Sequence, residues 1–317
     1  MAFSTAQTTQ IRGFVDVLGG YDKKSTFGFG EQDLLITSAV NDRISFLGET
    51  VFKYDGEEHS NFTISVERVV LTYNLFGNHN LVMGKIHTPL NYWNDTYHHG
   101  RVFFPTIDRP LLFSSKIIPL HAVGVGFEGR NLGKLKFGYN LFIGNGLSAS
   151  EIQDNDNSKS TTIAFHIKPA DRLKIGVSYY NDVISKGTND HGSTIDHNVN
   201  QHLISASVSR FGKKLELLTE ATTGLNHTDT TGTKKTIAAY AYAGYKIKQK
   251  YIPYLRYDNI RYQSGEMYYM GKNVQSFIAG IRYEISYLAV VKLEYQHIDN
   301  PLTNDVDKIT AQFAIGF

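Results

Sequence analysis

The sequence predicts an all-β fold: a transmembrane, antiparallel β-barrel of sixteen strands with a long third external loop folded into the lumen. Three observations lead there. Apolar residues recur at every second position along nearly the whole chain, as in "KITAQFAIGF", where Ile309, Ala311, Phe313, Ile315 and Phe317 share one face. The connections alternate between tight turns and long polar segments. The composition favours strands, with 20 Tyr and 19 Phe against 7 Pro and a single Trp.

Strands are expected at 10–22 and 31–40, the second ending at Asn41-Asp42. The next pair, 43–54 and 61–75, is closed by "FGNH" at 76–79, and 80–88 and 120–130 flank the longest connection. Strands 134–146 and 159–169 follow, with Pro169-Ala170-Asp171 turning into 172–183. In that strand Leu173, Ile175, Val177 and Tyr179 alternate with Lys174, Gly176, Ser178 and Tyr180. After 200–211, Gly212-Lys213 turns into 214–225; then come 235–247, with the alternating "AAYAYAGY" at 238–245, and 251–262, 272–285, 287–299 and 307–317. An even count places both termini on one side. Turns after even-numbered strands are short and connections after odd-numbered strands are long, the asymmetry of a barrel inserted from one side of a membrane. Aromatic residues near strand ends, including Tyr21, Tyr54, Phe142, Tyr179, Tyr251, Tyr262, Tyr287 and Tyr295, fit interfacial girdles.

Composition removes several chemistries. The chain has no Cys, which excludes disulfides, thiolate metal sites and a Cys nucleophile. A net charge of +2 gives no basic face for a nucleic-acid partner. No run of eighteen apolar residues marks a spanning helix, whereas barrel strands need only about 9–11 residues. Residues 1–9 read as the remnant of a signal peptide or an unstructured start, and 10–317 as one barrel domain.

The connection after strand 5, about 89–119, contains "LNYWNDTYHHGRVFFPTIDRPLLFSSKIIP", with Trp93 and Pro105, Pro110 and Pro119. A segment this long without alternation is usually functional. With this segment in third place and a terminal Phe317, the chain resembles the sixteen-stranded bacterial outer-membrane porins. "GKIHTPLNYWND" at 84–95 is similar to the strand-to-loop junction of the phosphate-selective-type porins. The resemblance implies a passive channel for small hydrophilic solutes and ions, no cofactor, and a homotrimer surrounded by outer-membrane lipid and lipopolysaccharide. It also implies that Phe317 is an assembly signal and that the third loop narrows the pore. On that basis His87, Asp95, His98, His99, Arg101, Asp108 and Arg109 are expected to form the constriction, facing Arg43, Lys85, Lys136, Arg256, Arg282 and Lys292 on the wall. Removing Arg101 or Lys85 should then lower anion preference. Asp108 and Arg109 pairing within the loop is the alternative. Ala122, Gly124 and Gly126 on strand 6 are expected to leave room for the loop, with Phe103, Phe104, Leu111, Leu112 and Phe113 anchoring it.

Other readings are less well supported by the residues. Adjacent His98 and His99 point to opposite sides of an extended chain and grip one metal poorly, and no metal is implied. His166 with Ser178 lacks the context of a hydrolase motif. "SEIQDNDNSK" at 150–159 reads as a solvated external loop before it reads as a cation site. Loops that bind a ligand or partner remain the alternative to an open lumen.

Overall fold

The computed structural model describes residues 7–55, 61–97, 100–147, 154, 156–190, 193–299 and 305–317. The barrel strands are β1 (Thr8–Asp22), β2 (Lys24–Ala39), β3 (Ile44–Asp55), β4 (Asn61–Phe76), β5 (His79–His87), β6 (His121–Leu132), β7 (Phe137–Gly144), β8 (Ser160–Ala170) and β9 (Leu173–Ile184). After a small separate hairpin, β10 (Asn189–Asp190) and β11 (Ser193–Thr194), the wall continues with β12 (Val199–Phe211), β13 (Leu215–Thr228), β14 (Gly232–Tyr245) and β15 (Tyr251–Tyr262). It ends with β16 (Val274–Ser286), β17 (Ala289–Asp299) and β18 (Val306–Gly316). Sixteen strands close antiparallel, β18 pairing with β1 through Phe14↔Gly316. Phe317 completes this seam by exchanging two 2.9 Å backbone hydrogen bonds with Gly13. A Cβ at Gly13 would come within 2.2 Å of the Phe317 ring, which would have to swing aside.

Alternation sorts the side chains. On β15, Tyr251, Pro253, Leu255 and Tyr257 are exposed outside, while Ile252, Tyr254, Arg256, Asp258 and Ile260 are buried inside. The outer face is apolar around the wall, with Phe127, Ile143, Val177, Ile204, Phe277 and Phe313 exposed. The inner face carries the charges, the reverse of a water-soluble protein and the arrangement of a bacterial outer-membrane barrel. Tyr21, Tyr251, Tyr287 and Tyr295 are exposed near strand ends as expected. Phe142 and Tyr262 are not part of that girdle. Both fall on inward positions, Phe142 being buried and Tyr262 packing against Tyr269. The side chain of Tyr54 lies outside the described residues.

Two external connections are shorter than expected. Lys23 alone links β1 to β2, because pairing continues through Gly19↔Phe27 and Tyr21↔Ser25 into what composition suggests is a polar loop. Only 229–231 link β13 to β14, whose pairing reaches Thr228↔Gly232. The glycines of β6 also have another cause than loop clearance. Cβ atoms at Gly124 and Gly126 would meet the Ile143 and Leu141 carbonyls of β7 at 2.0 and 2.5 Å, so closely coiled backbone requires them. Gly84 on β5 is still more constrained, with φ 117 and the Val69 carbonyl oxygen 2.0 Å from the position a Cβ would take. Gly84→Val is expected to destabilise the barrel by about 1–3 kcal/mol, read as a lower urea midpoint in lipid vesicles. An unchanged midpoint would mean that β4 and β5 relax around it.

Candidate functional site

Segment 88–120 leaves the wall at β5 and returns at β6. Gly100, at φ 79, starts a single 3-10 turn, Arg101–Phe103, and two short helices flank it, α1 (Tyr92–Thr96) and α2 (Leu111–Ser114), the latter begun by Pro110. Such irregular backbone must find partners for its polar groups when it is buried. The wall supplies them as charges. Glu220 on β13 accepts N–H bonds from Tyr92 and Trp93, Asp258 on β15 from Leu111, Glu294 on β17 from Ile107, and Asp33 on β2 from Gly100. Arg256 donates to the carbonyls of Asp108 and Arg109, Arg282 to that of Pro105, and Lys292 to those of Arg101 and Thr106. Because β2 and β13 are far apart in the closed strand order, these bonds carry the segment across the lumen.

The segment has two faces. Its apolar face, with Leu90, Trp93, Phe104, Leu112, Phe113 and Ile118, packs into a core with Leu203, Leu218, Tyr240, Tyr254 and Ile278 of the wall. Trp93 meets Phe104 and Tyr240 edge-on at 5.3 and 6.1 Å. Tyr268 and Tyr269, from the connection between β15 and β16, join this core, and the Tyr269 hydroxyl donates to the Ile117 carbonyl. The lumen beside β12–β16 is thereby filled, and packing is against these strands rather than β6.

The other face is charged. Arg101 lies 3.8 Å from Asp16, 3.5 Å from Glu31 and 3.6 Å from Asp108. Burial disfavours its charge, but Glu31, Asp16 and Asp108 hold the guanidinium above its ordinary value. Burial lowers the Arg109 guanidinium, against the opposing pull of Glu31, Glu67 and Asp33. Arg68 pairs with Glu49 at 2.5 Å, and Lys53 lies 3.5 Å from Glu31 and 3.8 Å from Glu67. An acidic wall on β1–β4, formed by Asp16, Glu31, Asp33, Glu49 and Glu67, thus faces two arginines of the segment. Sequence reasoning named none of these five as constriction residues; it marks Asp16 and Glu49 as inward and misses Glu31, Asp33 and Glu67 altogether. A register shift explains Glu67, the extra residue between Val66 and Arg68, whereas Glu31 follows Asp33 inward by plain alternation along β2. A bulge re-aims a side chain that strict alternation would send outward. The available signal was the adjacent pair Glu67-Arg68 within an alternating strand.

Among the described residues, a cavity of ≈ 750 Å³ remains beside β2–β7, lined by Arg43, Arg68, Asn74, Asn80, Glu128 and Asn140. The predicted site residues divide around it. Arg101, Asp108 and Arg109 belong to the charged face, Asp108 pairing with Arg101 and, at 3.2 Å, Lys308. Asp95 is turned to Lys174 of β9 at 2.9 Å. His87, ending β5, lies 3.8 Å from Glu49. Lys85 is held against the wall, its Nζ donating to the Val66 carbonyl at 2.6 Å. Arg43 and Lys136 sit at the short turns on the terminal side, away from the segment, because those turns close the far ends of their hairpins. Arg256, Arg282 and Lys292 do face the segment, but they are sealed beneath it, 1%, 6% and 0% exposed, and hold its backbone instead of lining water. His98 and His99 lie outside the described residues.

No family model matches the sequence, and no curated protein matches it. Solved structures do match in three dimensions. The anion-selective porin of Comamonas acidovorans superposes with a TM-score of 0.71 at 11% identity, covering 98% of this chain and 100% of that one. The chain has the porin fold. The porin-like barrel also matches the outer-membrane channel DcaP of Acinetobacter baumannii, with TM-score 0.69 and 13% identity over 100% of this chain and 99% of that one. OmpT, expressed in the outer membrane of Vibrio cholerae, gives TM-score 0.69 at 14% identity, again over 100% and 99%. Identities this low carry the architecture and leave the charges of each lumen to be read individually.

Proposed function

We propose that this porin-fold protein is a passive channel of the bacterial outer membrane, through which small hydrophilic solutes and ions pass chemically unaltered. Segment 88–120 is its constriction. The observation that carries this reading is the division of the lumen: wall charges moor the segment on one side, and the polar cavity beside β2–β7 offers a path on the other. Solutes would pass through that cavity, between Pro89 and Asp95 of the segment and Arg43, Arg68 and Glu128 of the wall, with the ion-paired face of Arg101 bordering it. Opposed charges across a narrow, low-dielectric passage favour dipolar solutes and retard apolar ones.

A trimer is part of the proposal. Ala239, Ala241 and Ala243 face outward on β14, and Ala221 and Ala206 continue the row across β13 and β12. Small side chains allow barrels to approach closely. One of the solved V. cholerae OmpT structures is described as a trimer form.

Single-channel recording in a planar bilayer tests the function. Steady current steps after insertion, with a reversal potential in a salt gradient, are expected. Silence from protein shown by heat-dependent gel mobility to be folded would transfer the function to the external loops.

A further inference from the structure

The constriction segment is bracketed by two histidines. His87 is the last residue of β5 and His121 the first of β6; they are register partners across the strand pair, with ring centroids 5.5 Å apart. Each faces a glutamate of the acidic wall. His87 Nε2 lies 3.8 Å from Glu49, and His121 Nε2 lies 3.0 Å from Glu67. His87 also lines the open cavity. The charges around the pair come from every element packed on it: Glu49 and Lys53 on β3, Glu67 and Arg68 on β4, Lys85 on β5, and Arg109, which senses Glu67 from the segment. Glu31 on β2 is tied in through Lys53. These three carboxylates and four cations leave a small positive balance, which two further positive charges on the rings would enlarge about threefold.

We propose that His87 and His121 are specificity-determining residues that make the ion preference of the channel depend on protonation. The proposal rests on the channel reading above. Histidine is the side chain whose ordinary pKa places its charge change between about pH 5 and 8. With both rings neutral, that small balance alone sets the field beside them. As pH falls both rings become cationic against Glu49 and Glu67, and anions gain over cations.

Reversal potentials in a KCl gradient, recorded across about pH 5.5 to 8, test this directly. The chloride-to-potassium permeability ratio of the wild-type channel is expected to rise roughly two- to fivefold as pH falls. In the H87Q/H121Q double variant the ratio should no longer follow pH over that range. If the double variant does not insert, H121Q alone, at the closer of the two glutamates, should lose about half of the response. A conducting wild-type channel with a flat ratio, or a variant that keeps the wild-type response, overturns the inference and leaves the channel reading standing. Absence of current at every pH overturns the channel reading itself.

Discussion

Replacing Arg256 with methionine is expected to release the constriction segment and raise single-channel conductance severalfold, with added current noise. Arg256 is 1% exposed and makes bonds to the Thr106 hydroxyl at 2.5 Å and the Asp108 carbonyl at 2.6 Å, with Asp258 held at 2.8 Å. Methionine fills similar volume but supplies none of these donors, and it leaves Asp258 buried without its cation. Removing one partner of a buried pair costs about 3–5 kcal/mol, enough to unseat a short segment tethered between two strands. The wall itself does not depend on Arg256, because each strand is hydrogen-bonded to both neighbours. Heat-dependent gel mobility should therefore still report a closed barrel. The R256M/D258N variant, which removes the orphaned carboxylate as well, should regain part of the quiet, low-conductance state. If R256M conducts as the wild type does, Arg256 is not a mooring on which the position of the segment depends.

Replacing Arg101 with glutamine is expected to turn the channel towards cations. Arg101 stands between Asp16, Glu31 and Asp108, and its removal leaves three carboxylates facing the passage with one cation fewer. The reversal potential in a KCl gradient should move towards the potassium value, and more at low salt, since the Debye length contracts from about 10 Å at 0.1 M to about 3 Å at 1 M. E31Q should move it the opposite way. K85Q should move it the same way as R101Q, because the bond to the Val66 carbonyl holds the ammonium in place without removing its charge. An unchanged reversal potential in both variants would place the two cations outside the field of the passage.

The strands were legible because alternation is a local property. β15 occupies Tyr251–Tyr262, the same residues that the pattern marks, and most other boundaries move by one to three positions. Lys24 to Phe29 looked like loop because Ser, Thr and a glycine hide a ladder that depends only on backbone partners in β1. Glu67 was hidden for the opposite reason: its inward turn comes from a register shift between strands, which no single strand encodes. The basic residues of β15–β17 carried correct parity, since Arg256, Arg282 and Lys292 do point inward. Parity cannot reveal whether an inward cation meets water or a covering segment. That depended on which wall the apolar residues around Trp93 and Phe113 would choose, a matter of long-range packing against Leu218, Tyr240 and Ile278.

The moorings of the segment bear on how such a pore changes over generations. Arg282 and Lys292 grip carbonyls, and Asp33, Glu220, Asp258 and Glu294 grip N–H groups, so the attachment reads backbone and is largely blind to the side chains it carries. Residues such as Arg101 and Arg109 can therefore be exchanged without unfastening the segment. Selection, or an engineer, can retune the passage one side chain at a time while the inherited scaffold keeps its shape.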